Sequence, residues 1–73
     1  MSNNIYLEDH KKLIGKLKRA RLELGLTQSE VAEKLNKPQS YISKSENGDR
    51  RIDITELKKM AILYKKDINF FIK

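Results

Sequence analysis

Side chains that can form paired hydrogen bonds are concentrated between positions 39 and 44 of the chain. They comprise an amide, two hydroxyls and an ammonium, on Gln39, Ser40, Ser43 and Lys44. In a DNA groove, Gln can pair with adenine N6 and N7, Ser with several base edges, and Lys with guanine O6 or N7. The same residue types are common on ordinary solvated surfaces, so these four side chains by themselves leave both interpretations open.

Groups that could catalyse a reaction or hold a metal are sparse. The chain has no cysteine, and its one histidine, His10, has no nucleophile nearby in the sequence. Neither a glycine-rich phosphate loop nor a His, Cys or carboxylate cluster with ligand spacing occurs. We therefore expect no enzymatic activity, no metal site and no cofactor, with His10 on the surface.

The charge balance points to a polyanionic partner. Sixteen Lys and Arg residues against ten Asp and Glu give a formal net charge of +6 on 73 residues, with a pI near 9.7. This excess favours nucleic acid or an anionic membrane surface. A membrane surface is disfavoured, because a chain that forms one small domain, 1–73, needs its apolar residues for its own core.

Targeting and redox signals are absent from the sequence. No apolar run approaches the roughly 18 residues of a membrane-spanning helix, and the polar start MSNNIYLEDH lacks the apolar region of a secretion signal. The lack of cysteine fits a reducing compartment. We expect a cytoplasmic protein that does not span a membrane.

Helical spacing of apolar residues predicts the first helix over about 7–24. It ends before Gly25, where a left-handed closing residue costs least. The apolar stripe of this helix comprises Leu13, Ile14, Leu17, Ala20 and Leu24.

Two short helices are predicted next, joined by a tight turn. Thr27 and Glu30 form a Thr-x-x-Glu capping box at the start of the second helix. Asn36 tolerates a left-handed turn, and Pro38 suits the start of the third helix, which ends at Gly48. The buried side of the second helix comprises Val31, Ala32 and Leu35.

Two further helices complete an all-α, five-helix fold. Asp53 is expected to cap the fourth helix and Asp67 the short fifth helix. No segment alternates with the period of two that marks a strand. The apolar positions are Ile54, Leu57, Met60, Ala61 and Tyr64 in the fourth helix, and Ile68, Phe71 and Ile72 in the fifth.

Successive residues of the third helix lie 100° apart around its axis, and this spacing separates a buried side from a polar side. Ile42 marks the buried side, and Ser40 and Lys44 fall opposite to it. One flank carries Gln39, Ser43 and Asn47, and the other carries Tyr41.

The segment TQSEVAEKLNKPQSYISKSENG, residues 27–48, resembles the helix-turn-helix unit of the lambda-repressor-like, or Xre, family of DNA-binding domains. The similarity extends from about Ile14 to Phe71 and implies that the third helix enters the major groove. Asn36 stands where the family commonly has Gly. Ser45 stands where a larger apolar or aromatic residue is usual, so we expect looser packing there or a hydroxyl bonded to a preceding carbonyl.

Arg21 and Glu46 are predicted to form a structural ion pair. Arg21 lies inside the apolar stripe of the first helix, where an unpaired guanidinium would be costly. Glu46 lies on the same inward side of the third helix as Ile42, and its carboxylate could accept a bidentate pair. The family resemblance implies the same link.

The remaining functional predictions concern DNA and a second copy of the chain. Base contacts are assigned to Gln39, Ser40, Ser43 and Lys44, and contacts to the DNA backbone to Gln28, Lys37, Tyr41, Asn47, Arg50 and Arg51. For Arg50 and Arg51 an ordinary solvated loop is the alternative, and solvation is favoured for the basic run between 11 and 19. Phe70 and Ile72 exceed what one short helix needs to bury, so we expect them at a homodimer interface.

These residues together predict a sequence-specific DNA-binding transcription regulator, a repressor by default, that binds an inverted-repeat operator as a homodimer. The stretch Tyr41-Ile42-Ser43 is also similar to restriction-modification controller proteins, which can repress and activate. The alternative is an antitoxin or adaptor module whose main partner is a protein, with DNA binding secondary.

Overall fold

The structure is a computed structural model that describes the backbone of residues 3–73 and the side chains of residues 8–73. Its five helices are α1 (Asn3–Glu23), α2 (Gln28–Leu35), α3 (Gln39–Asn47), α4 (Ile54–Leu63) and α5 (Ile68–Ile72). No strand occurs in this part of the chain. The all-α, five-helix prediction is therefore confirmed, while residues 1 and 2 of the predicted domain lie outside the described backbone.

The first helix begins earlier than the sequence predicted, at Asn3 rather than near residue 7. Residues 3–7 contain neither Gly nor Pro, so nothing interrupts the helix there. At the other end, Gly25 adopts a φ of 69°, and the Leu26 amide donates to the Arg21 carbonyl at 3.2 Å. This left-handed closure is the predicted end of the helix.

The cap predictions for α2, α4 and α5 are confirmed. Thr27 Oγ1 accepts from the Glu30 amide at 3.1 Å, and Glu30 Oε1 accepts from the Thr27 amide at 2.8 Å. The same reciprocal pair joins Asp53 and Glu56 at the start of α4. Asp67 accepts from the Asn69 amide at 2.8 Å at the start of α5.

The turn between α2 and α3 depends on Asn36, which adopts φ 58° and ψ 47°. The following amide, that of Lys37, donates to the Ala32 carbonyl at 2.8 Å, which closes α2. Pro38 then precedes the first residue of α3 with extended backbone angles. This short turn places α3 directly beside α2, with which it is in contact.

One hydrophobic core receives residues from all five helices. Helix α1 packs against α3 and α5, and α5 packs against α4. The core residues, each at most 4% exposed, are Leu17, Ala20, Val31, Ala32, Ile42, Leu57, Met60, Ala61, Tyr64 and Phe71. Burial is the main reason why the pKa of Tyr64 rises to about 12.

Two apolar residues assigned to helix stripes lie outside the core. Leu24 is 40% exposed, because α1 ends at Glu23 and Leu24 belongs to the turn that follows. Ile54 is 55% exposed, because it is the first residue of α4 and lies a turn before the first core residue of that helix, Leu57. Both predictions were wrong for the same reason. An apolar residue can keep the helical spacing although it lies beyond the part of the helix that is packed against the core.

Gly48 ends α3 with a φ of 82°, a conformation that strongly favours glycine. It also lies against α1, because a Cβ at this position would stand 3.2 Å from Ile14 Cδ1 and 3.6 Å from His10 Nε2. The positive φ is thus the main reason for a glycine here, and a side chain would in addition be crowded against Ile14.

Among the described residues, no helix combines the length and the apolar character needed to cross a bilayer.

Candidate nucleic-acid interface

The outward face of α3 carries the polar side chains that the sequence assigned to base contacts. Gln39, Ser40 and Lys44 are exposed, and Ser43 is half-buried at the edge of this face. On the opposite side, Ile42 is only 1% exposed and anchors the helix in the core. The structure therefore brings three of the four predicted residues to one accessible surface and leaves the fourth at its margin.

A buried ion pair fixes α3 to α1. Arg21 Nε lies 2.7 Å from Glu46 Oε2, and Arg21 Nη2 lies 2.9 Å from Glu46 Oε1, which is a bidentate pair. The side chains are only 8% and 4% exposed, and Arg21 Nη1 also donates to the Leu26 carbonyl at 2.8 Å. Hydrogen bonding to Glu46 raises the pKa of Arg21 despite its burial, so the guanidinium keeps its charge.

A line of amide side chains extends from this ion pair to the surface, and the sequence analysis did not anticipate it. Gln28 Nε2 donates to Glu46 Oε1 at 3.1 Å, and Gln39 Nε2 donates to Gln28 Oε1 at 3.3 Å. Ser29 Oγ donates to Gln39 Oε1 at 3.2 Å. The Gln39 amide keeps one N–H and one lone pair for an external partner, because it is held by one bond at each end.

The sequence shows the two glutamines of this line, but it does not show that their side chains meet. Gln28 and Gln39 are the first residues of α2 and α3. Only the angle between the two helices decides whether their side chains meet, and no pattern in a single helix contains that angle. The bonds leave Gln28 half-buried, beside the outward face of α3.

A second polar cluster lies along the flank of α3 that carries Tyr41 and Ser45. The Arg50 guanidinium stacks on the Tyr41 ring, with 4.0 Å between Cζ and the ring centroid, and its Nη2 lies 3.2 Å from Glu56 Oε2. Burial, with a contribution from the nearby Glu56, raises the pKa of Tyr41 to about 12. Arg50 is thus held within its own chain, at the edge of α3.

The same cluster shows how a serine is accommodated at position 45. Its hydroxyl donates to the Tyr41 carbonyl one turn earlier at 2.7 Å, as the sequence analysis allowed, and accepts from Arg50 Nη1 at 3.4 Å. The residue is 1% exposed. The expected looseness is therefore not found, because the hydroxyl is bonded and the residue is fully covered.

The other predicted backbone-contact residues surround α3. Lys37 is exposed in the turn before the helix, with its ammonium 5.1 Å from the Tyr41 ring centroid. Asn47 is exposed at the end of α3, and Arg51 is exposed in the following loop. Cationic or amide groups therefore lie at both ends of the exposed helix face.

Exposed isoleucines lie on α4 and α5, which are in contact with each other. Ile62 is 79% exposed and Ile72 is 56% exposed. Phe70 is only half-buried, and its ring lies 5.0 Å from the Phe71 ring and 4.7 Å from the Lys66 ammonium. Phe70 and Ile72 were expected from the sequence at an interface, whereas the exposure of Ile62 was not, because this residue lies next to the apolar stripe of α4.

Nothing in the described part of the chain forms a metal-binding group of three or more His, Cys, Asp or Glu residues.

The chain was compared with protein families, curated proteins and solved structures. A family model described as helix-turn-helix matches residues 17–71, which include all of α2, α3, α4 and most of α5. Neither the curated proteins nor the solved structures gave a significant match to this chain.

Proposed function

The chain belongs to the lambda-repressor-like helix-turn-helix family of DNA-binding domains, and from this membership we propose that it is a sequence-specific transcription regulator acting in the cytoplasm. The family is one of DNA-binding domains and not of enzymes. Repression by occupying a site near a promoter is the proposed mode of action.

The observation that carries this proposal is the exposed face of α3. Gln39, Ser40 and Lys44 are accessible there, while the opposite side of the helix is held by Ile42 and the Arg21–Glu46 ion pair. A major groove about 12 Å wide admits one α-helix, and amide, hydroxyl and ammonium groups match its base edges. We assign base contacts to these three residues and, at the margin, to Ser43.

Phosphate contacts at both ends of α3 would fix the register of the helix in the groove. Gln28 and Lys37 are available at the start of α3, with Tyr41 in its first turn, and Asn47, Arg50 and Arg51 are available at its end and beyond it. Arg50 is bonded to Glu56, so a phosphate would compete with that carboxylate for the guanidinium. We therefore expect Arg50 to strengthen binding less than a fully solvated arginine would.

A homodimer is part of the proposal. One short helix reads only a few base pairs, and pairing two copies doubles the contacts, with half-sites about 34 Å apart. The exposed side chains of Ile62 on α4 and Ile72 on α5, together with the half-buried Phe70, support an interface formed by these two helices. We expect an inverted-repeat operator and a dissociation constant of about 10⁻⁸ to 10⁻¹¹ M, rising steeply with salt.

Selection of bound sequences from a pool of randomised duplexes tests the function directly. The expected result is an enriched inverted repeat for the protein, and an altered preference at particular base pairs for Lys44→Ala. Lys58→Ala, on the exposed side of α4, is the matched control and should select the same motif as the unmodified protein.

A pool in which no motif is enriched would contradict the regulator and would favour the alternative function, an antitoxin or adaptor whose main partner is a protein. The exposed Ile62 and Ile72 are compatible with that alternative as well as with a homodimer. The selection separates the two functions, because only the regulator requires sequence preference.

A further inference from the structure

A second basic surface lies on the outer side of α1. It consists of five exposed residues with long side chains and a glycine among them, and we call it the α1 outer patch: Lys11, Lys12, Gly15, Lys18, Arg19 and Leu22. The patch extends over eleven helical steps, or about 16 Å. In the part of the chain whose side chains are described, its four cations form no hydrogen bond or ion pair.

The patch points away from the surface assigned to DNA. Leu17, which marks the buried side of α1, is 1% exposed. At 100° per residue, Gly15 and Leu22 lie roughly 160° and 140° around the helix from Leu17. Because α3 packs on the inner side of α1, one duplex bound to the outward face of α3 does not reach this patch.

The patch has an apolar centre that phosphate binding does not need. Leu22 is 57% exposed, and together with Gly15, Lys18 and Arg19 it lines a shallow groove. A Cβ at Gly15 would find nothing within 4 Å, so no packing within the described structure requires the glycine. Glycine inside a helix is less stable than alanine, and a conformational need for it is excluded because its φ is not positive.

A glycine on an open helix face allows another backbone to approach closely. We propose that the α1 outer patch docks an acidic amphipathic helix of a different protein. Small or apolar residues of that helix would cover Gly15 and Leu22, and its carboxylates would face Lys11, Lys18 and Arg19. Opposite charges arranged in this way would steer the encounter and fix the register of the two helices.

The positive charge of the patch argues against a second copy of this chain as its partner. Two copies of this chain that met through the patch would bring eight cations together, and the acidic residues near them on α1 are Glu8, Asp9 and Glu23. Glu23 is already paired with Lys66 at 3.0 Å. A second duplex or an anionic membrane would satisfy the cations, but neither would account for the glycine.

A display library of helical 16-residue peptides, selected against the protein without DNA, tests the proposal. Peptides with Glu or Asp on both sides of a small or apolar stripe should be enriched. Each enriched peptide should lose affinity about tenfold or more against Gly15→Leu, which fills the groove, and against the double variant Lys18→Glu with Arg19→Glu. Lys58→Glu with Lys59→Glu, on the exposed side of α4, is the control and should bind as the unmodified protein does.

Gly15→Leu raises helix propensity, so its thermal unfolding midpoint should not fall, and lost binding would not reflect unfolding. A duplex bound at α3 should leave the enriched peptides in place, because the two surfaces face different ways.

No enrichment, or equal binding to Gly15→Leu, would overturn the proposal. So would displacement of the peptides by phosphatidylserine vesicles or by a second equivalent of duplex, which would identify a membrane or DNA-bridging surface instead. The selection uses DNA-free protein, so its failure is independent of the proposed regulator function.

Discussion

The Gln39 side chain donates to Oε1 of Gln28 across 3.3 Å, and this bond joins the first residue of α3 to the first residue of α2. Gln28 in turn donates to the Glu46 carboxylate, which Arg21 holds from α1. Gln39, which we propose as a base-reading residue, is thereby connected to the core by side-chain hydrogen bonds. A fixed amide loses less conformational entropy on binding DNA than a mobile one.

Replacing either glutamine should therefore affect the same base pair. We expect Gln39→Ala to lose roughly 1–3 kcal/mol of discrimination there, the usual value of one good bidentate contact. Gln28→Ala should lose part of this discrimination, because Gln39 is still present but no longer oriented. Competition binding with single-base variants of the selected operator measures both. If Gln28→Ala weakened all sequences equally, the bond between the two amides would have no part in base reading.

Removing Arg21 should destabilise the fold strongly. Arg21→Ala leaves the Glu46 carboxylate, 4% exposed, without its main partner, and we expect a loss of roughly 3–5 kcal/mol in urea unfolding. The double variant Arg21→Met with Glu46→Leu removes both charges and should recover most of this loss. An unchanged urea midpoint for Arg21→Ala would contradict a structural role for the pair.

Releasing Arg50 from Glu56 should strengthen DNA binding in general. In Glu56→Gln the carboxylate that lies 3.2 Å from Arg50 Nη2 is neutralised, and the guanidinium becomes free to bind a phosphate. We expect Glu56→Gln to raise affinity for all sequences and Arg50→Ala to lower it and to flatten the salt dependence by about one counterion. In the double variant the gain should vanish. A gain that persisted without Arg50 would mean that Glu56 acts only through its general negative charge.

The same carboxylate should make stability depend on pH in the acid range. Partial burial raises the pKa of Glu56, but hydrogen bonds from Tyr41, Arg50 and the Asp53 amide outweigh this effect and hold the pKa below its usual value of 4.5. A carboxyl whose pKa is lowered by folding contributes stability above its unfolded pKa and loses that contribution as the pH falls through its folded pKa. Stability from this group should thus be complete at pH 7 and decline below about pH 4.5.

Urea unfolding of the protein and of Glu56→Gln at several pH values measures this contribution. The variant should show a smaller loss of stability below pH 4.5 than the unmodified protein. Glu33→Gln, which changes an exposed carboxylate of α2, is the control and should keep the full decline. Parallel curves for the protein and for Glu56→Gln would show that other carboxyl groups carry the acid dependence.

A charge at the proposed dimer interface should separate the two copies. Fully burying one isoleucine contributes roughly 1.5–3 kcal/mol, so Ile62→Glu or Ile72→Glu should weaken dimerisation by more than about tenfold in sedimentation experiments. Ile54→Glu changes an isoleucine that is similarly exposed, at 55%, but lies at the far end of α4 and should have little effect. A dimer that resisted both Ile62→Glu and Ile72→Glu would place the interface elsewhere.

Local signals predicted most of the fold. The capping boxes at Thr27 and Asp53, the left-handed closures at Gly25 and Gly48, and the helical spacing of apolar residues all act within a few residues of the chain. Such features can be recognised in sequence because hydrogen-bond geometry and φ preferences are local. The predictions failed at Leu24 and Ile54, where the extent of the core and not the periodicity decided exposure.

The sequence by itself determined five helices, the polar face of α3 and a carboxylate able to neutralise Arg21, because residue type and helical rotation are properties of single segments. Only the tertiary structure decided that Gln39 bonds to Gln28, that Arg50 is stacked on Tyr41 and paired with Glu56, and that the glycine of α1 lies on an open basic surface. These relationships depend on the angles and distances between helices. Packing of the whole core sets those angles, so no segment read alone contains them.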